Sequence, residues 1–323
     1  MAKIRVYWVL LTSLVLVSFS IFGNNNYPIL PSHFPRPIYD FQKNPLDSQT
    51  VELGRKLFYD PILSLNNQVS CATCHSPFNA FAHTDHEVSH GIFDSIGTRN
   101  APGLFNLAWQ NKFMWDGAIN RLDAQALAPI NHPSEMGSNT KDLMIKLNKS
   151  QKYKTLFFRT FGDSIISTNH FLKALTQFQL TLISANSKYD KVRLGQAKFT
   201  EQEQKGYHVF QRSCATCHTE PLFNNTEFRQ NGLGIDSYYN DLGRAKVTGV
   251  SADALKFKVP SLRNLSYTYP YMHDGRFKSL TEVLKHYSET LSLTTTERVD
   301  LVAFLLTLND STFVFNKNHQ FSQ

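Results

Sequence analysis

Residues 70–79 read SCATCHSPFN, and the first six letters return at 213–218 in SCATCHTEPL. All four cysteines of the chain, Cys71, Cys74, Cys214 and Cys217, lie in these two copies, and each pair is followed at once by a histidine, His75 or His218. Three chemistries use such a spacing: a metal knuckle, a redox dithiol and a covalent haem anchor. A single four-cysteine zinc site would have to close across about 140 residues, and zinc has no need of a histidine directly after each pair. A thioredoxin-type dithiol uses one motif beside a βαβ unit, and no strand alternation surrounds either copy. Cys-x-x-Cys-His is the attachment sequence of c-type haem. Two thiols add to the two vinyl groups as thioethers, and the next residue falls under the iron, where imidazole is the proximal ligand. The spacing therefore predicts two covalently bound haem c groups.

Such a cofactor needs a helical shell. Each motif follows a similar helical stretch, GRKLFYD at 54–60 and GYHVFQR at 206–212. Thr200 and Glu203 are spaced as a capping box for the second. Much later in each half comes an apolar helix. Leu172, Leu175, Phe178 and Leu182 form one stripe; Leu301, Phe304, Leu305 and Leu308 form the other, opened by a second capping box, Thr294 and Glu297. The expected fold is mostly α, with two tandem cytochrome c-like domains. The N-terminal haem domain is expected over 24–186 and the C-terminal one over 187–323, joined near the polar, aperiodic stretch 184–196.

With 323 residues the chain has room for two domains of ordinary size. Lys3 and Arg5 precede a mostly apolar run at 6–22 that ends among Ser18, Ser20 and Gly23, and Pro28 follows. This is an export signal pattern over residues 1–23, implying the periplasm; the alternative is an uncleaved anchor in the inner membrane. Without residues 1–23 the net charge falls from +7 to about +5. That mild excess suits an acidic docking partner. No basic cluster with interleaved aromatics is present, so nucleic-acid binding is excluded.

Longer stretches carry a resemblance. GTRNAPGLFNLAW (97–109), FMWDGAINRLDAQALAPINHPSEMG (113–137), KVPSLRNLSYTYPYMHDGRF (258–277) and SLTEVLKHY (279–287) resemble the bacterial dihaem cytochrome c peroxidases and their MauG-type relatives. The resemblance runs from residue 53 to the last helix. It implies that the haem on Cys71, Cys74 and His75 is the peroxide site. The haem on Cys214, Cys217 and His218 would accept electrons from a small cytochrome c or a cupredoxin. It further implies that Glu135 is the distal acid–base residue, that Gln125 hydrogen-bonds in the same pocket, and that Trp115 lies between the haems. Asn100 matches a side-chain calcium ligand, and Thr268 and Pro270 match positions that offer backbone carbonyls; oxygen-only ligation suits calcium. Family members often form homodimers, although no apolar stripe marks an interface here.

Two positions depart from the peroxidase pattern. Where typical members carry a histidine that caps the resting peroxidatic iron, this chain has Ile92, which cannot bind iron; His90 and His86 stand nearby as alternatives. At the place of the methionine ligand of the second haem stands Tyr287, as in MauG-type members. Met272 and His286 are its rivals. The expected function is reduction of hydrogen peroxide. The alternatives are a MauG-like oxidase acting on a protein or organic substrate, and a dihaem cytochrome that only transfers electrons.

Overall fold

The computed structural model describes residues 30–321; the export signal expected over 1–23 lies outside them. The described chain is mostly helical. Its named strands are a two-residue antiparallel pair, Phe228–Arg229 with Phe257–Lys258. No helix among the described residues is long and apolar enough to cross a membrane.

Two helix crossings organise the molecule. The first opening helix, Ser48–Tyr59, starts where the Asp47 carboxylate accepts the Thr50 N–H at 2.8 Å. It packs against the first closing helix, Thr168–Leu180. The second opening helix, Glu201–Ser213, and the second closing helix, Thr295–Leu306, carry the two capping boxes expected from the sequence. They pack on each other in the same way. One device serves both crossings. A Cβ added at Gly54 would stand 1.9 Å from the Ala174 carbonyl oxygen, and one at Gly206 would stand 1.9 Å from that of Asp300. Only glycine lets the backbones approach so closely.

An aromatic triad sits beside each crossing. Phe58 and Phe178 lie 5.2 Å apart, with Phe81 at 5.8 Å from Phe58. Phe210 and Phe304 lie 5.1 Å apart, with Phe223 at 5.3 Å from Phe210. All six rings are buried. The two triads belong to separate apolar cores, one built largely from residues 34–182 and the other from residues 189–308.

Three sets of contacts, polar and apolar, tie these cores together. Arg99 donates to Asp116 at 2.6 Å and to both carboxylate oxygens of Asp241, at 2.6 and 2.9 Å. Arg263 is fully buried, clasps Asp190 with bonds of 2.8 and 2.7 Å, and lies 4.8 Å over the Phe34 ring. The C-terminal segment returns to the first core, where Phe313 and Val314 are buried and the Tyr59 hydroxyl donates to the His319 carbonyl at 2.6 Å.

Candidate haem and peroxide sites

Cys71–Cys74 form one helical turn, capped by Ser70 and Thr73, and His75 ends it. The chain then doubles back through Ala80 and Phe81, both at positive φ. The turn delivers the Phe81 carbonyl to His75, whose Nδ1 donates to it at 2.7 Å. Pinning Nδ1 orients the ring and leaves Nε2 free to bind a metal. Burial pushes the His75 pKa down to about 4, so the imidazole is neutral, as a ligand must be. The second motif repeats this: His218 Nδ1 faces the carbonyls of Phe223 and Pro260, each at 3.1 Å.

The thiols argue against the other readings. Burial pushes Cys71 up to about 12 and Cys74 and Cys214 up to about 11, whereas a redox dithiol lowers its attacking thiol. All four are free, and Cys71 and Cys214 pack on different cores, so the pairs do not converge on one ion. Paired thiols next to an imidazole with a free Nε2 fit covalent haem in both halves.

Glu135 lies close enough to Cys74 for its charge to raise that thiol further. Its side chain is 32 % exposed, and burial raises its own pKa, opposed by His132 and Arg99. Ile92 is buried, donates its N–H to the Glu135 carbonyl at 2.8 Å, and sits over Gly137. The loop that departs from the peroxidase pattern thus packs directly on the segment that carries Glu135. His90 is engaged elsewhere, with Nδ1 2.8 Å from Asp94 and its ring stacked 4.4 Å from His86. Gln125 is buried, and its Oε1 accepts from Gln179 at 3.3 Å, which leaves its amide NH2 to donate.

Trp115 spans the two halves. Its indole N–H donates to the Asn100 carbonyl at 2.9 Å, and its own carbonyl accepts from the Lys258 N–H at 2.7 Å. Asn100 is buried; its N–H donates to the His273 carbonyl at 2.7 Å and its Nδ2 to the Glu87 carbonyl at 3.2 Å. Asn100 therefore stands beside the segment that carries Thr268 and Pro270, with an Oδ1 that can accept.

At the second motif three side chains compete. His286 is held by the Asn231 carbonyl, 2.7 Å from its Nε2. The Met272 sulfur faces the Asn231 amide at 3.8 Å. Among the described residues the Tyr287 hydroxyl has no hydrogen-bond partner. Burial, with the nearby Cys217 and Cys214 thiols adding, pushes its pKa up to about 12. Of the three, Tyr287 is the one whose polar atom stays uncommitted and faces the motif.

The family model for di-haem cytochrome c peroxidase matches residues 48–198. The MauG methylamine utilization protein of Methylorubrum extorquens is 36 % identical over 303 residues, covering 86 % of this chain and 82 % of the relative. The chain belongs to the di-haem cytochrome c peroxidase family. Cytochrome c peroxidase Ccp of Escherichia coli is also 36 % identical, covering 86 % of this chain but 62 % of the relative. The cytochrome c551 peroxidase of Nitrosomonas europaea is 34 % identical, covering 82 % of this chain and 81 % of the relative. A MauG-like protein associated with microbial copper homeostasis superposes with a TM-score of 0.83 at 29 % identity, covering 90 % of this chain and 98 % of that one. The protein is thus an oxidoreductase of the dihaem peroxidase family, which implies two haem c cofactors.

This dihaem peroxidase also holds a repeat that reading by motif passed over. FMWDGAI at 113–119 and YMHDGRF at 271–277 are the same hairpin. Each is closed by one antiparallel bridge, Phe113 with Ile119 and Tyr271 with Phe277. Each places Met and Gly at positive φ: Met114 at 67° and Gly117 at 68°, Met272 at 74° and Gly275 at 70°. Met272 is therefore the counterpart of Met114, a hairpin residue, and His273 is the counterpart of Trp115. The signal was the shared Met-x-Asp-Gly.

Proposed function

We propose that this protein reduces hydrogen peroxide to water in the periplasm, using electrons from a small cytochrome c or a cupredoxin. Residues 24–186 and 187–323 would each enclose one haem. When bound, the first haem supplies an iron that takes peroxide, and the second supplies an iron that receives electrons from the donor.

The observation that carries the reading is the half-buried Glu135 carboxyl beside Cys74, with its pKa raised by burial. Peroxide must lose a proton from one oxygen and gain one on the oxygen that leaves. A single carboxyl that holds its proton nearer neutral pH can do both. Gln125 would orient the peroxide through its free amide N–H. Ile92 offers no ligand, so the peroxide side stays open without prior reduction. Trp115, tied to both halves by hydrogen bonds, is the aromatic stepping stone between them, with a calcium ion held by Asn100 and the carbonyls of Thr268 and Pro270 as a brace.

Glu135→Gln tests this directly. The variant should keep both haems yet lose roughly 10²–10⁴-fold in peroxide turnover, the usual worth of a positioned acid–base group. Full turnover in that variant would remove Glu135 from the mechanism.

Tyr287 favours a second reading. A phenolate ligand lowers the potential of the second haem, which suits oxidation of a protein or organic substrate. Steady oxidation of a reduced cytochrome c by peroxide separates the two, because only the peroxidase sustains it. A homodimer is proposed on family likeness alone.

A further inference from the structure

Each peroxide reduced consumes two electrons and two protons and yields two waters. The electrons have a donor, but the protons must reach a half-buried carboxyl from solvent. The turn that carries Glu135 holds a second titratable side chain. The N–H groups of Glu135 and Gly137 converge on the His132 carbonyl, at 3.1 and 2.9 Å. Gly137 closes the turn at φ 57°, and Ile92 packs against it from the other side. The folded turn brings His132 Nδ1 to 3.8 Å from Glu135 Oε1. The two side chains differ in their access to water: His132 is 52 % exposed, Glu135 32 %. The Ser134 N–H donates to Nδ1 at 3.3 Å, so in this arrangement the neutral ring carries its own proton on Nε2 and Nδ1 is the nitrogen open to a second one.

We propose that His132 is the relay residue that reloads Glu135 with protons from solvent. The inference rests on the acid–base role of Glu135 proposed above. Imidazole is the side chain that exchanges protons readily near neutral pH. The ring takes a proton from water while turned outward. Protonation of Nδ1 displaces the Ser134 N–H; turned inward, that Nδ1–H passes its proton to the Glu135 carboxylate, leaving neutral imidazole with its proton on Nε2 and a carboxylic acid. The acid then protonates the departing peroxide oxygen. The other charged group that acts on Glu135 is Arg99, whose guanidinium keeps its proton and cannot relay one. Cys74 acts on it as a thiol only until that sulfur becomes a thioether.

The test uses the holoprotein with both haems, hydrogen peroxide and ABTS as electron donor. His132→Ala should lower kcat about tenfold at mildly alkaline pH, short of the roughly 10²–10⁴-fold expected for a direct acid–base group. The KM for peroxide should not move. The deficit should shrink as pH falls, because solvent then protonates Glu135 directly. Added imidazole should restore turnover to His132→Ala but not to Glu135→Gln. His132→Asn should behave as His132→Ala does; both keep the backbone carbonyl on which the turn closes. Wild-type kcat across pH in His132→Ala, with Glu135→Gln inactive, would overturn the relay and leave the peroxidase reading standing. A loss that is flat with pH and not restored by imidazole would also overturn it, since that marks a merely structural role. Full activity in Glu135→Gln would remove both proposals together.

Discussion

Tyr287 carries the clearest residue-level consequence. Its hydroxyl faces the second haem motif, while the rivals His286 and Met272 are both turned to Asn231. With Tyr287 as the proposed ligand, Tyr287→Met would exchange a hard oxygen ligand for a soft sulfur one, which favours Fe(II). The reduction potential of the second haem should rise by a sizeable part of the roughly 0.8 V range that axial ligands command. Spectroelectrochemical titration of the holoprotein reads this; an unmoved potential would make Tyr287 a packing residue. Residues of this kind differ in how legible they are. Cys71, Cys74 and His75 were readable because their chemistry is covalent and local, so spacing alone constrains it. His132 was not. A histidine three residues before a glutamate is unremarkable until the turn at Gly137 brings the two side chains to one side.

The two helix crossings were legible as elements, because caps and apolar stripes are local signals. Thr200 with Glu203 and Thr294 with Glu297 open helices in the structure as their spacing predicts. What the stripes could not reveal was the closeness of approach. Gly54 and Gly206 look like ordinary helix glycines until a Cβ is set against the carbonyls of Ala174 and Asp300. Gly54→Ala and Gly206→Ala should each cost about 1–3 kcal/mol through forced separation of the helices. The double variant should lose about the sum, since the sites lie in separate cores. Thermal unfolding of the holoprotein measures both; an unchanged midpoint would mean that the crossing is slack.

At the scale of the molecule, stability depends on links that join residues far apart in sequence, which no local pattern announces. Arg263 meets Asp190 across 73 positions and Arg99 meets Asp241 across 142. Arg99, with the Gly243 N–H and Lys246, holds Asp241 well below the usual carboxylate range despite its burial. A depressed carboxylate contributes stability that is fully present above its unfolded value, about 3.9. That contribution is lost as pH falls below this value towards the folded one. Urea unfolding should therefore show no contribution from this link to pH dependence near neutrality. Below about pH 4, Arg99→Met should lose less stability on acidification than the wild type. Equal slopes would show that the link is inert.

The returning C-terminal segment sets a clock on biosynthesis. Phe313 and Val314 complete a core whose haem motif is translated about 240 residues earlier. At common synthesis rates that is a delay of roughly 10–50 s. Through that interval the first core lacks part of its apolar wall while Cys71 and Cys74 are already made. The nascent first half is thus an unsealed vessel that the last part of the chain closes.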